Sequence, residues 1–195
     1  MRHLAEEVIH DEHQALAAML RSLSMLVAQA QRDGKPPPFD VLRAMLFYVD
    51  EFPERLHHSK ESRLLFPKLR ERVPELAPVL DRLDREHNDG EQAIRELQHA
   101  LLAYEVLGEP RRGAFERAVD RYTAFYLAHM GVEEREVLPA ARRHLDEADW
   151  AELDAAFAAN KDPLTGHHQP TPDYQPLFHK IVMETPAPIG LGPAR

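Results

Sequence analysis

Apolar side chains recur at intervals of three and four along most of the first 160 residues, a pattern that predicts amphipathic helices. In the first helix, residues 2–32, the apolar stripe consists of Ile9, Leu16, Leu20, Leu23 and Val27. Asp33-Gly34 and the prolines after it end this helix, because glycine favours helix C-termini and proline cannot continue a helix. The remaining positions are dominated by Ala, Leu, Glu and Arg, which favour helix formation.

The same pattern predicts four further helices, whose ends are marked by proline and glycine. Their predicted ranges are 40–66, 75–107, 112–145 and 147–159. Pro53 lies within the second helix, where a kink is expected, and a short helical continuation follows between Pro67 and Pro74. Four long helices with short links predict an all-α fold, namely an antiparallel up-down-up-down four-helix bundle with a short fifth helix.

The character of the sequence changes at Lys161, so we divide the chain into a bundle domain, residues 1–160, and a proline-rich C-terminal tail, residues 161–195. Seven of the 16 prolines lie in this tail: Pro163, Pro170, Pro172, Pro176, Pro186, Pro188 and Pro193. Because proline interrupts helices, we predict that the tail is not helical. Its apolar segment, residues 177–182, is expected to dock on the bundle or on a second copy of the chain.

Composition narrows the classes of function. The formal charge is −9 and no Lys/Arg-rich block occurs, so nucleic-acid binding is not expected. The absence of cysteine excludes disulfides, iron–sulfur clusters and thiolate ligands. No apolar run approaches the ~20 residues of a membrane span, and the N-terminus has no apolar signal region. We therefore expect a cytoplasmic protein without a membrane partner, as a monomer or homodimer.

The chain contains 12 histidines, and the informative ones lie in an internal repeat. Residues 57–67 and 129–139 both read His-x3-Glu-x5-Pro, with apolar residues at the two positions before the proline. An earlier helix carries an isolated Glu-His pair before each segment, at residues 12–13 and 86–87. The chain therefore consists of two helix pairs, each of which offers one His and then a His-x3-Glu pair.

This repeat predicts a metal site inside the bundle. The two side chains of each His-x3-Glu pair lie on one helix face, with Cβ atoms about 5–6 Å apart. A buried carboxylate costs several kcal/mol unless it is paired or coordinated, and no inward Lys or Arg is available. Imidazole and carboxylate together suit iron, manganese or zinc, and two carboxylates suggest two ions. The predicted ligands are His13, His57, Glu61, His87, His129 and Glu133.

At these residues the chain resembles the hemerythrin family, specifically its bacterial hemerythrin-like, HHE cation-binding branch. The resemblance covers residues 3–145 and rests on His13, His57-x3-Glu61 followed by Leu65-Phe66-Pro67, Glu86-His87, and His129-Met130-x2-Glu133-Glu134. It implies an antiparallel four-helix bundle with a non-haem di-iron centre. The four histidines would be terminal ligands, Glu61 and Glu133 would bridge the irons, and an oxo, hydroxo or water bridge would complete the core. Manganese or zinc are the substitutes that this donor set accepts.

Two positions depart from the family's oxygen carriers, which place a second His four residues after the helix-three His and an Asp in helix four. This chain has Glu91 and Glu133 instead. Glu91 is either a direct metal ligand, on the inward stripe with Ile94, or a solvated residue beside Gly90. In either case the metal site has fewer nitrogen ligands than the site of the oxygen carriers, which argues against simple oxygen transport. A ferritin-like Glu-x-x-His pattern also occurs at residues 54–57, but it does not recur in helix four.

The side chains next to these ligands are assigned no role in the site. Helical geometry turns His10 and His58 to the side, so both are predicted to be exposed. Glu12 and Glu86 each precede a ligand histidine, but adjacent helical residues point about 100° apart, so we expect no supporting contact from them. Tyr126 shares the inward stripe and is expected to be a core tyrosine with a satisfied hydroxyl.

Three functional hypotheses remain. The first is a protein that binds or senses oxygen, nitric oxide or iron, and the second is an oxidoreductase that acts on peroxide or nitric oxide. The third is a structural bundle that holds zinc or no metal; it is disfavoured because structural zinc sites are closed and four-coordinate. We favour binding or sensing, with a small diatomic ligand or peroxide as the partner.

Overall fold

The protein is helical through most of the residues that the structure describes. A computed structural model describes residues 3–165, 171–185 and 190–192. Its helices are α1 (Leu4–Asp33), α2 (residues 39–72), α3 (Ala77–Leu107), α4 (residues 112–144), α5 (Glu147–Phe157) and α6 (Gln175–Glu184). The all-α prediction is confirmed, whereas the up-and-down order of the helices stays a prediction. Within these ranges no helix has both the length and the apolar character needed to cross a membrane.

Helices α2 and α4 are continuous but contain π-helical stretches, at Asp50–His57, Glu61–Leu65 and Glu133–Val137. The amide that follows each of the last two stretches donates to the carbonyl of Glu61 or Glu133, five residues back. The repeated prolines, Pro67 and Pro139, come directly afterwards. Because proline lacks an N–H and its ring clashes with the preceding turn, a local widening of the helix accommodates it. Pro53 lies within the first stretch, and α2 continues through it.

Two apolar clusters of the core flank a layer of buried polar side chains. One cluster contains the residues of α1 from Leu16 onward, the first part of α2 and the second part of α3. The other contains Ala5 and Ile9 of α1, the end of α2 and the start of α3. On α1 to α3 the change from one cluster to the other falls at a predicted metal ligand, and on α4 it falls between the ligands His129 and Glu133. The candidate site is therefore enclosed by apolar packing on two sides.

The tail contains a helix, α6, so the prediction that it is not helical is wrong. Pro176 lies in the first turn of α6, where its missing N–H costs no hydrogen bond. Phe178 is buried, and its ring centroid lies 6.2 Å from that of Tyr48 and 6.0 Å from that of Phe52, both on α2. The division of the chain at residue 160 stays a prediction. Four tail prolines lie outside the described residues: Pro170, Pro186, Pro188 and Pro193.

Candidate metal centre

The four predicted histidines come from four different helices and meet as two pairs. Nε2 of His13 lies 3.2 Å from Nε2 of His57, and these residues form the first histidine pair. Nε2 of His87 lies 3.0 Å from Nε2 of His129, and these form the second histidine pair. All four side chains are buried. Each pair therefore directs two nitrogen donors towards a common point, as the ligands of one ion do.

The carboxylates of Glu61 and Glu133 lie between the two pairs. Oε1 of Glu61 is 3.3 Å from Nε2 of His57, and its Oε2 is 3.5 Å from Nε2 of His87. Glu133 is arranged in the same way: its Oε2 is 3.3 Å from the α1 histidine and its Oε1 is 3.2 Å from the α4 histidine. Each carboxylate thus presents one oxygen to each histidine pair. We call these four histidines and two glutamates the His/Glu cluster.

The carboxylate oxygens of the cluster are the strongest indication that it can hold a cation. Glu61 and Glu133 are 1% and 0% exposed, and all four of their oxygens lack a hydrogen-bond partner among the described residues. A buried carboxylate is costly unless a positive charge neutralises it. The cluster therefore has the donors, and the unmatched negative charge, that a divalent metal requires.

When no metal is bound, protons on the imidazoles neutralise part of this negative charge. Burial lowers the pKa of His129, but the negative charge of Glu133 outweighs it and raises the pKa to about 9. Burial likewise lowers the pKa of His57, and the charge of Glu61 and a hydrogen bond to Glu12 raise it well above its usual value. Burial raises the pKa of Glu133, whereas the positive charge of His129 lowers it well below the usual range. A metal ion that binds here has to displace protons from the imidazoles.

Carboxylates hold two of the histidines from the far side of the ring. Glu12 accepts a hydrogen bond from Nδ1 of His57 at 2.7 Å, and Glu86 accepts one from Nδ1 of His129 at 2.8 Å. The prediction that Glu12 and Glu86 give no support is therefore wrong. Adjacent helical residues do diverge, but each carboxylate meets the histidine of the neighbouring helix, not the one beside it in sequence. Because a carboxylate only accepts, a proton stays on Nδ1, and Nε2 is the nitrogen that binds metal once its own proton is displaced.

The other two cluster histidines have polar partners at Nδ1 as well. Nδ1 of His13 lies 3.4 Å from Oε1 of Glu134, and Nδ1 of His87 lies 2.9 Å from Oγ of Ser62. All four imidazoles are thus held at Nδ1 while Nε2 faces the centre of the cluster.

Glu91 lies outside the cluster. Its side chain is 56% exposed, and Oε2 accepts a hydrogen bond from Nη2 of Arg95 at 3.3 Å. Of the two interpretations of Glu91, the structure agrees with a solvated residue and not with a ligand. Its inclusion among the predicted metal ligands is corrected accordingly.

His58 is buried, which contradicts its predicted exposure. Its Nδ1 lies 3.1 Å from Oε2 of Glu54, and its ring stacks on that of His87, with centroids 4.4 Å apart. Burial and the nearby charge of His87 lower the pKa of His58 well below its usual value, so the ring is neutral. The prediction assumed ideal α-helical angles, whereas the π-helical stretch that ends at His57 changes the direction of the next side chain.

Glu54 joins His58 to two tyrosines. The hydroxyl of Tyr122 donates to Oε1 of Glu54 at 2.7 Å, and the hydroxyl of Tyr126 donates to the same oxygen. Burial raises the pKa of Glu54 despite these hydrogen bonds. The expectation that Tyr126 is a core tyrosine with a satisfied hydroxyl is confirmed. Glu54 and His58 were missed, although their i, i+4 spacing on α2 was a visible signal. For Glu12 and Glu86, the visible signal was the Glu-His pair that occurs in both halves of the repeat.

Comparison with known protein families agrees with this geometry. The model of the hemerythrin HHE cation-binding domain matches residues 4–141, a range that contains the whole His/Glu cluster. A search of curated proteins finds no match. The family match covers well over half of the chain, and it confirms the resemblance that the repeat suggests. The chain therefore belongs to the hemerythrin HHE cation-binding domain family.

Proposed function

We propose that this chain is a non-haem di-iron protein that binds or senses oxygen, nitric oxide or iron. One observation carries the proposal: each of two buried carboxylates presents one oxygen to each histidine pair. The first pair with one oxygen from each glutamate would hold one ion, and the second pair with the other two oxygens would hold another. When bound, two irons supply redox-active positions at which a small molecule can bind.

The donor set bears on the identity of the metal. Each ion would receive two nitrogens and two carboxylate oxygens, which closes a tetrahedral zinc site but leaves positions open on iron. Open positions are what a binding or sensing protein needs. Metal analysis separates these cases, because two irons per chain support the proposal and a zinc content without iron supports a structural role.

The inner cavity beside the first histidine pair has room only for a very small ligand. A cavity of about 10 Å³ lies beside His13 and His57, and Glu12 and Phe52 also line it. This is the space of about one water molecule. A diatomic molecule or peroxide is close to that size, whereas the larger space of about 460 Å³ that also reaches His13 lies open towards the surface beside His10 and Glu134.

An oxidoreductase that acts on peroxide or nitric oxide is the alternative. The observation that favours it is the position of Tyr126, whose ring centroid lies 5.7 Å from that of His129. If a redox metal were bound at the cluster, Tyr126 could supply one electron to it and pass its phenolic proton to Glu54, which accepts its hydrogen bond. Turnover decides between the two functions, because an enzyme consumes peroxide or nitric oxide catalytically and a sensor only binds it.

The proposal is tested by measuring the iron content and the ultraviolet–visible spectrum of aerobically purified protein. We expect about two irons per chain, in line with the two histidine pairs, and an oxo-bridge charge-transfer band. His57→Ala and Glu61→Ala should each abolish stoichiometric iron binding. His99→Ala is the control, because His99 is an exposed histidine on α3. Equal iron content in all of these variants contradicts the ligand assignment.

A further inference from the structure

A third histidine lies beside the second histidine pair. Ring nitrogens of His58, His87 and His129 lie within 4.8 Å of one another, and all three side chains are buried. The corresponding group at the first pair consists of His13, His57 and a carboxylate. We propose that His58 is a third imidazole ligand of the metal ion held by His87 and His129. This inference rests on the proposed function and adds a ligand to the same site.

The hydrogen bonding of His58 matches that of the cluster histidines. Its Nδ1 lies 3.1 Å from a carboxylate oxygen of Glu54, just as Nδ1 of His57 lies 2.7 Å from Glu12. Because the carboxylate can only accept, the proton is on Nδ1 and the lone pair is on Nε2. A carboxylate behind the ring is the usual partner of a histidine that binds metal through Nε2. His58 is therefore presented in the tautomer of a ligand.

The spacing of the rings also fits a shared ion. The ring centroid of His58 lies 4.4 Å from that of His87 and 5.6 Å from that of His129. The two histidine pairs have centroid separations of 4.9 Å and 4.8 Å. One of the two centroid distances from His58 is thus shorter, and the other longer, than the centroid separations within the two histidine pairs.

The local structure of α2 explains how two consecutive histidines face the same layer. The rings of His57 and His58 have centroids 5.5 Å apart and planes at 81°. His57 belongs to the first histidine pair, whereas the ring of His58 stacks on His87 of the second pair. The π-helical stretch of α2 ends at His57 and changes the direction of the next residue. On α3, the residue one turn after His87 is the exposed Glu91. Helix α2 therefore supplies the donor that α3 does not.

This assignment makes the two metal positions unequal. The metal position at the second histidine pair, called the second position, would have three imidazoles. The metal position at the first histidine pair, called the first position, would have only two, and both positions share the same carboxylates. The first position then has the larger number of open coordination places. It is also the one beside the small cavity lined by His13 and His57. A small molecule should therefore bind at the first position.

Nitrogen NMR of the histidine side chains tests the inference on the wild-type protein. Cadmium serves as a diamagnetic probe that accepts more than four ligands, added to metal-free, ¹⁵N-histidine-labelled full-length chain. Because cadmium binding shifts the resonance of a coordinated nitrogen, we expect five Nε2 resonances to move, four from the His/Glu cluster and one from His58. His58→Gln should remove one shifted resonance and weaken the binding of one of the two cadmium ions by roughly 10-fold or more.

Two further variants separate coordination from packing. Glu54→Gln keeps His58 but weakens its acceptor, so five resonances should still shift, with a roughly 10-fold loss of affinity at one ion. His99→Ala, on an exposed position of α3, should change neither the number of shifted resonances nor the affinity. Four shifted resonances in wild-type protein overturn the assignment of His58 while leaving the proposed function intact. A wild-type chain that binds no divalent metal overturns both.

Discussion

At the scale of single residues, the acceptor behind each cluster histidine determines how firmly its imidazole is oriented. Glu12→Gln replaces the carboxylate that accepts from Nδ1 of His57. The amide oxygen of glutamine still accepts this hydrogen bond but more weakly, so we expect the iron affinity to fall by roughly 10-fold while the helix content is unchanged. Competition with a chelator under anaerobic conditions measures this affinity.

The matched control for this substitution is Glu91→Gln. Glu91 is exposed and pairs only with Arg95 among the described residues, so its substitution should leave the iron affinity unchanged. An equal loss in Glu12→Gln and Glu91→Gln would mean that general charge, and not orientation of the ring, controls affinity. A loss in Glu91→Gln alone would restore Glu91 as a ligand.

Gly90 is a second residue whose role depends on a close contact. A Cβ at this position would overlap the hydroxyl of Tyr126 and lie 3.2 Å from Oε1 of Glu54. Alanine normally favours a helix over glycine by about 1 kcal/mol, but overpacking reverses the sign here. We expect Gly90→Ala to lower the free energy of unfolding by about 1–3 kcal/mol, measured by urea denaturation.

Two comparisons isolate that contact. Gly113→Ala places its Cβ near only the flexible guanidinium of Arg117, so it should not destabilise the protein. In a Tyr126→Phe background the hydroxyl is gone, and Gly90→Ala should cost less than in the wild type. The same cost in both backgrounds would show that the hydroxyl of Tyr126 is not the source.

The six cluster residues were predictable because each lies on an apolar stripe, and because the His-x3-Glu motif occurs twice. The residues that support them were not. Glu12 contacts a histidine 45 positions away on another helix, and such contacts depend on how the helices pack. His58 was misjudged because one-residue rotation angles hold for an α-helix and fail next to a π-helical stretch.

At the scale of the helices, α6 is the element whose contribution to stability is least evident from the sequence. Phe178 of α6 packs against Tyr48 and Phe52 of α2. Removing this buried ring leaves a cavity, so Phe178→Ala should lower the free energy of unfolding by about 3–5 kcal/mol. Val182→Ala, on an exposed face of the same helix, should change it by less than about 0.5 kcal/mol. If Phe178→Ala and Val182→Ala both change the free energy of unfolding only slightly, α6 does not dock on the bundle in solution.

Periodicity predicted the existence of the long helices because their apolar stripes face a core on one side. It did not predict α6, because the density of proline in the tail outweighed the short apolar segment 177–182. Pro176 is nevertheless compatible with a helix, since it occupies the first turn. The π-helical stretches at Glu61 and Glu133 also left only a partial signal, namely the proline that follows each glutamate motif at the same distance.

At the scale of the whole molecule, the balance between protons and metal in the buried cluster makes metal binding depend on pH. The pKa of His129 is raised to about 9 in the metal-free protein, above its ordinary value of 6.5. Below pH 9 this imidazole therefore holds a proton that the metal must displace, and above pH 9 it does not. The metal affinity should rise with pH through the neutral range, by about tenfold per pH unit for each proton displaced. Calorimetric titration of iron(II) at pH 7, in two buffers that differ in ionisation enthalpy, counts the protons released. His99→Ala should release the same number as the wild type, because this histidine is exposed on α3 and away from the cluster. An affinity that does not change between pH 6 and pH 8 would contradict the view that protons occupy the nitrogen donors of the metal-free cluster.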